Sequence, residues 1–403
     1  MPSRRSFVGV SAAAVLGAND RIRLGVLGSG GRGRHVMRVF LTHPDCVVAA
    51  VCDVYKPNLQ QAVADAGGTA EAYGDYRRVL DRQDIDAVLI AAPDHWHGPM
   101  TVAACQAGKD VYVEKPLSNS LEDGLKMVEA ARQHRRVVQV GLQQRSWPHF
   151  QQAAKLVEDG LLGPVTHAAA LFPGGYTRPP EPAQTPPPDL DWDSFQGPAP
   201  RHPYVPSRQK SWRSFYDYGG GLITDWGVHL IDVVHWCLKD DNPRTAAAAA
   251  QQARLTQPDP EQAPDTFSLV WKYDRFVLTF ANWAIPHPEL NPSGTYFFGE
   301  RGVMLVNRSG CAVRPLRARG RPGSPQPPLP FEPILLKSPP EGGPMDPPTR
   351  AHIRSFLDAV KSRQRPNCDV EVGFRSTLPT LMALLAVRTG KTIAWDGRQA
   401  QPL

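Results

Sequence analysis

The chain has 403 residues, 41% of them hydrophobic and 21% charged, with 45 Lys and Arg against 39 Asp and Glu for a formal charge of +6. That mixture buries a sizeable core and the length suits two domains, which excludes fibrous and disordered classes. No apolar run approaches the roughly 20 residues of a bilayer span, and no concentrated basic stripe marks a nucleic-acid surface. Only Arg317, Arg319 and Arg321 cluster, in a Gly/Pro-rich stretch that reads as a solvated loop. Neither a nucleic acid nor a membrane is an expected partner.

Residues 1–20 read as a leader. Ser3-Arg4-Arg5-Ser6-Phe7-Val8 has the form of a twin-arginine export motif, followed by small apolar residues through Ala18. Leu16-Gly17-Ala18 fits a small-residue cleavage site, so the expected location is periplasmic. The stretch is short and weakly hydrophobic, and a retained leader on a cytoplasmic protein is the competing reading.

From Arg21 onward, continuous apolar runs at 22–27, 47–52, 87–92, 111–113 and 137–140 alternate with helical stretches at 34–42, 58–66, 99–107 and 121–134. Unbroken runs are what strands buried on both faces look like. Strand–helix alternation implies right-handed crossovers and an α/β, doubly wound parallel sheet over 21–144. Pro99 fits a first helical turn and Gly108 the position past the end of that helix.

The pattern changes after Arg145. A helix over 150–159 stops at Gly160, and 165–172 reads as a strand. Residues 173–206 are too rich in proline for regular structure and too long for a passive link, which predicts a loop that wraps the domain or covers a site, with the substrate as the expected occupant beneath it. A helix follows at 225–238, with Thr224 as its expected N-cap. Segments 266–273 and 276–283 form a hairpin turning at Asp274-Arg275, and strands at 295–298 and 303–306 follow. The alanine run 246–250 favours helix by propensity but precedes strands, which leaves it open. Residues 317–348 read as a second loop, and 352–362 and 378–389 as closing helices. Residues 145–403 are therefore expected to form an α+β domain with a large open mixed or antiparallel sheet.

The six cysteines, Cys46, Cys52, Cys105, Cys237, Cys311 and Cys368, include no CxxC pair, so neither structural zinc nor a disulfide framework is expected. The chemistry lies elsewhere. Gly28-Ser29-Gly30-Gly31-Arg32-Gly33 follows the first predicted strand and opens a helix, as GxGxxG does where backbone N–H groups approach a pyrophosphate. Asp53 ends the second strand, 20 residues beyond Gly33, where a carboxylate binds ribose hydroxyls and disfavours a 2′-phosphate. NAD is thus expected over NADP, with Lys56 or an arginine as the route by which NADP would still bind.

Asp94, His95, Trp96 and His97 follow the third strand and read as a loop beside the nicotinamide; the paired histidines lack a third metal ligand, so no metal is expected. Glu114-Lys115-Pro116 ends the fourth strand, where a desolvated lysine favours an alkoxide. Asp225 and His229 lie one helical turn apart, so the carboxylate is expected to orient the imidazole as a general base. A surface i,i+4 pair is the competing structural reading. His235 reads as packing or surface, and Trp212, Tyr216 and Trp226 as core aromatics or stacking platforms for a sugar ring.

These motifs together resemble the Gfo/Idh/MocA oxidoreductase family, the group that includes glucose-fructose oxidoreductase and inositol dehydrogenase. The marks are the glycine run 28–33, Glu114-Lys115-Pro116, and Asp225 with His229. Leu190-Asp191-Trp192-Asp193, Gly197-Pro198-Ala199-Pro200 and Gly219-Gly220-Gly221 resemble its exported branch. The resemblance implies an N-terminal Rossmann domain binding NAD or NADP, and a C-terminal sheet that supports a homo-oligomer (dimer or tetramer). It makes Lys115 the active-site lysine, followed by a cis-proline at Pro116, and His229 the proton acceptor. The implied activity is hydride transfer between a nicotinamide and a secondary hydroxyl of a sugar, glycoside or polyol. The alternative is a glycoside hydrolase that oxidises transiently, eliminates and re-reduces with a tightly held, recycled NAD.

Overall fold

The computed structural model describes residues 21–283, 293–317, 328–339 and 346–403. The expected leader, Arg319, Arg321 and part of the 317–348 loop lie outside the described residues. Strands β1 (Ile22–Leu27), β2 (Cys46–Cys52), β3 (Glu71–Tyr73), β4 (Ala87–Ile90), β5 (Asp110–Val113) and β6 (Val138–Val140) form a parallel sheet in the order β3-β2-β1-β4-β5-β6. The order reverses at β1, so a crevice opens at the carboxyl ends of β1 and β4, where doubly wound sheets bind ligands. Helices α1 (Gly31–Phe40), α2 (Lys56–Asp65), α3 (Tyr76–Leu80), α4 (Asp94–Gln106) and α5 (Leu121–Gln133) connect the strands. Side chains of β1, β4 and β5 are buried almost throughout, because both faces are covered.

One element starts earlier than its proline suggests. Helix α4 begins at Asp94, with Pro99 inside it, and Asp94 to His97 form its first turn rather than a loop. Tertiary bonds hold that turn: the His97 ring bridges the backbone carbonyls of Pro116 (2.8 Å) and Ala92 (2.9 Å). The residue preceding Pro99 therefore stays helical against its local preference.

The second sheet has ten strands. Helices α6 (Pro148–Glu158), α7 (Trp192–Gln196), α8 (Pro206–Lys210), α9 (Gly221–Asp225), α10 (Gly227–Leu238), α11 (Pro347–Ser362) and α12 (Val370–Thr389) accompany it. Its strands are β7 (Val165–Leu171), β8 (Thr245–Gln251), β9 (Thr266–Lys272), β10 (Val277–Asn282), β11 (Gly294–Gly299), β12 (Gly302–Asn307), β13 (Gly310–Pro315), β14 (Ile334–Lys337), β15 (Ile393–Trp395) and β16 (Ala400–Pro402). They lie in the order β14-β13-β12-β11-β7-β10-β9-β8-β15-β16. Among the described residues only the β7–β10 pair of this sheet is parallel, so the sheet is mixed. The hairpin expected at 266–283 is β9 and β10, and Phe267, Leu269 and Trp271 point into the core while Ser268, Val270 and Lys272 face out. The alanine run is strand β8, with Ala246 opposite Trp271; ladder pairing outweighs a helix propensity worth only tenths of a kcal/mol per residue.

Helix α12 begins at Val370, eight residues before the expected start, because Asp369 caps it by accepting from Val372 N at 3.0 Å. Pro379 lies inside the helix, and its carbonyl accepts from the Trp271 indole at 2.9 Å. This helix is long and apolar enough to cross a membrane, but 72% of its apolar window is buried in the protein. It also ties the sheets together: a Cβ on Gly373 would lie 2.3 Å from Val140 on β6. Helix α11 returns to the first sheet, where Phe356 meets Phe40 and Tyr112 edge-on at 6.0 and 5.8 Å. All six cysteines are buried and free.

Candidate active site

A cavity of ≈ 1720 Å³ runs from the glycine turn after β1 to the start of α10. Its walls include Gly28, Gly30, Gly31, Arg32, Asp53, Asp94, Trp96, His97, Glu114 and Lys115, with Asp225 and His229 at its far end. Ser29, Gly33, His95 and Pro116 are buried and do not line it.

The glycine turn fits a dinucleotide. Gly28 has φ +85°, and a Cβ there would lie 2.5 Å from the Ala92 nitrogen; on Gly33 it would meet the Gly28 carbonyl at 2.1 Å. At Gly31 it would meet nothing within 4 Å, and at Gly30 only Asn58 at 3.8 Å, so those positions leave open space above the turn. Helix α1 has no side-chain cap, so its first amides are free to bind an anion. Asp53 is placed by the Ser29 and Tyr55 amides at 2.7 and 2.9 Å. Burial pushes its carboxyl up, against those bonds. Lys56 lies 3.5 Å from Asp189, so the cation that would attract a 2′-phosphate has a carboxylate beside it.

Arg32 enters the site through an ion pair with Glu114, at 2.9 Å from Nε and 2.8 Å from Nη2. Burial alone would raise the Glu114 carboxyl, but Arg32 and then Lys115 hold it below its ordinary value. The pair cross-links the turn after β1 to the end of β5. The Lys115–Pro116 peptide is cis, as the family resemblance implied.

The far end of the cavity differs from expectation in two respects. Asp225 does not hold His229. Its carboxylate pairs with Lys115 Nζ, which also donates to the Asp225 backbone carbonyl at 3.1 Å. Arg213 Nε donates to the same carboxylate at 3.2 Å and the Tyr176 hydroxyl at 2.6 Å. Three donors therefore converge on Asp225. Burial opposes its ionisation, but Lys115 and Arg213 hold the carboxyl well below the usual carboxylate range. The physical reason is a break in the helix: α9 ends at Asp225 and α10 starts at Gly227, so the expected one-turn spacing does not aim the carboxylate at the imidazole. Thr224 likewise lies inside α9 instead of capping α10, and its hydroxyl accepts from Gly220 N at 3.1 Å.

His229 is 3% exposed, and its Nδ1 has no hydrogen-bond partner among the described residues. Burial, then the charges of Lys115 and Arg308, push its imidazole well below the ordinary value. The neutral imidazole is therefore the favoured form, which leaves one ring nitrogen as a hydrogen-bond acceptor. Asp94 behaves oppositely: burial raises its carboxyl to about 8, against the pull of Arg213 and Lys115.

Trp212 and Trp226 line the cavity, and Tyr216 does not. Trp226 stacks on Phe172 at 3.8 Å between centroids. His235 is buried and bonded to the Tyr273 hydroxyl at 2.6 Å, a packing residue. Tyr176 and Arg213 escaped the sequence reading, since neither belongs to a spaced motif; Trp212 was the only signal beside Arg213. Among the described residues no group of three or more His, Cys, Asp or Glu gathers as a metal site.

A reversing parallel sheet with a glycine turn, joined to a mixed-sheet domain whose helices α9 and α10 supply a carboxylate and an imidazole, defines a two-domain dinucleotide-binding protein. Residues 22–142 match the family model described as "Oxidoreductase family, NAD-binding Rossmann fold", and 150–305 match the GFO/IDH/MocA C-terminal domain. The chain belongs to the Gfo/Idh/MocA oxidoreductase family. It is 37% identical over 144 residues to an inositol 2-dehydrogenase of Klebsiella pneumoniae, covering 35% of this chain and 43% of that relative. A glycosyl hydrolase family 109 protein of Saccharopolyspora erythraea is 31% identical over 164 residues, 38% of this chain and 36% of that one. The chain thus matches less than half the length of these two relatives. The WlbA dehydrogenase of Bordetella pertussis, solved with NADH and UDP-GlcNAcA, shares the fold with a TM-score of 0.67 at 19% identity, over 93% of this chain and 99% of that one.

Proposed function

We propose that the protein is an NAD-dependent oxidoreductase acting on a secondary hydroxyl of a sugar, glycoside or polyol, with 21–144 holding the cofactor and 145–403 the substrate. The observation that carries this reading is the convergence of Lys115 and neutral His229 at one end of a cavity whose other end is the glycine turn and Asp53. A nicotinamide bound there would accept or return a hydride. His229 takes the proton of the substrate hydroxyl. The Lys115 ammonium, steadied by Asp225, hydrogen-bonds the same oxygen and stabilises its developing negative charge. Trp212 lines the cavity with the Arg213 guanidinium 4.2 Å over its ring, whereas Trp226 is covered by Phe172 and by the Arg308 guanidinium, so of the two Trp212 is the better platform for a sugar ring. The test is to denature the purified protein, identify any released nicotinamide by mass spectrometry, and screen sugars and polyols for NADH formation. A protein that neither carries nor binds a nicotinamide refutes the reading.

Likeness to a family 109 hydrolase supports a second reading, in which a glycoside is oxidised, loses its aglycone and is re-reduced. Aglycone release without NADH accumulation supports it; NADH accumulating in step with product supports the dehydrogenase. Homo-oligomer formation is supported by Val277 and Phe298, which flank His167 on adjacent strands of the helix-free face and are 38% and 39% exposed. Sedimentation tests it. Export by the twin-arginine route rests on Arg4 and Arg5, and cell fractionation tests it.

A further inference from the structure

The proline-rich segment does more than link two elements. At residues 187–197 it crosses from the second domain onto both loops that build the cofactor cleft. Its first anchor sits immediately after Asp53: Leu190 pairs antiparallel with Tyr55, Asp191 N donates to the Val54 carbonyl at 3.0 Å, and Lys56 N donates to the Asp189 carbonyl at 3.0 Å. Its second anchor is the first turn of α4. The Phe195 carbonyl accepts from the Trp96 indole and from His95 Nε2, both at 3.0 Å. Gly197 then lies flat on Trp96, where a Cβ would come within 2.0 Å of the indole.

Between the anchors the segment is stiff. Trp192 stacks on Phe195 at 5.1 Å and meets Tyr204 edge-on at 5.2 Å, within a small apolar cluster of its own. Asp189, Leu190, Ser194 and Phe195 line the same cavity as Gly30, Gly31 and Asp53. The sequence expectation of a covering loop concerned the substrate; the contacts instead lie over the cofactor end.

We propose that 187–197 is the outer wall of the cofactor site, a strap that keeps the dinucleotide resident through many turnovers. The proposal rests on the cofactor reading above. A dinucleotide leaving the cleft must first break both anchors and lift the aromatic cluster from the first domain. Release is therefore governed by strap opening, not by the dinucleotide's own contacts.

Two variants test this with NADH as the probe. Tyr55→Cys with Leu190→Cys places a cysteine pair at the bridged positions, a spacing that suits a disulfide. The protein is loaded with NADH, and release into excess NAD⁺ is followed by nicotinamide fluorescence. The cross-linked form should release NADH at least 10-fold more slowly than the same protein after reduction. Phe195→Ala should release it at least 10-fold faster than the parent, and if that variant fails to fold the cysteine pair decides alone. Equal release rates in the cross-linked and reduced forms overturn the strap while leaving the cofactor reading intact. A cysteine pair that never cross-links overturns the first anchor. A parent protein that binds no NADH overturns the cofactor reading, and the strap with it.

Discussion

At the dinucleotide end of the cleft, polar groups are held by backbone amides close along the chain: Asp53 accepts from Ser29 and Tyr55, all within one strand–helix–strand unit. At the opposite end, around Asp225, side chains hold one another across the molecule. Asp225 gathers Lys115 from just past the end of β5, Tyr176 from the proline-rich segment and Arg213 from the approach to α9. The first arrangement exists wherever the turn forms. The second exists only when both domains are folded and docked, and it balances two cations against one mostly buried carboxylate. Binding and chemistry are thus built on different physical footings, and they should fail separately.

The largest test removes the reacting groups. His229→Ala and Lys115→Ala should each lower kcat by ~10²–10⁴-fold, with NADH affinity unchanged. If NADH affinity falls in parallel, the two ends are one unit and the contrast is wrong. Next is the charge network: Asp225→Ala strands Lys115 and Arg213 without their counter-charge and should destabilise the fold by about 3 kcal/mol in urea unfolding. Asp53→Ala should cost clearly less stability, because only hydrogen-bonded amides lose a partner. It should instead raise the affinity for NADPH relative to NADH by about 10-fold, read from the two dissociation constants.

The remaining test concerns Asp94, whose folded value of about 8 lies above the ordinary 3.8. The native state favours the protonated carboxyl, so its contribution to stability is complete below the ordinary value and is lost as pH rises toward 8. Asp94→Asn should flatten that part of the stability–pH curve; an unchanged slope would place the titration elsewhere.

Local patterns determined much of this protein. The unbroken apolar runs marked β1, β2, β4 and β5, because strands covered on both faces need no polar side. The glycine turn and Asp53 were legible because their geometry is fixed within one unit, and Glu114-Lys115-Pro116 and His229 through their place at strand and helix ends. The short strand β3 left no such trace, since its three residues are half or fully exposed. Tertiary contacts settled the remainder. The alanine-rich strand β8, the starts of α4 and α12, and the break between α9 and α10 each oppose a local preference of tenths of a kcal/mol to a few kcal/mol, which packing and ladder bonds outweigh. The partner of Asp225 follows the same logic: spacing one turn from His229 made the imidazole its apparent neighbour, but a buried carboxylate draws whatever cations the fold brings within reach, and docking of the two domains brings Lys115 and Arg213.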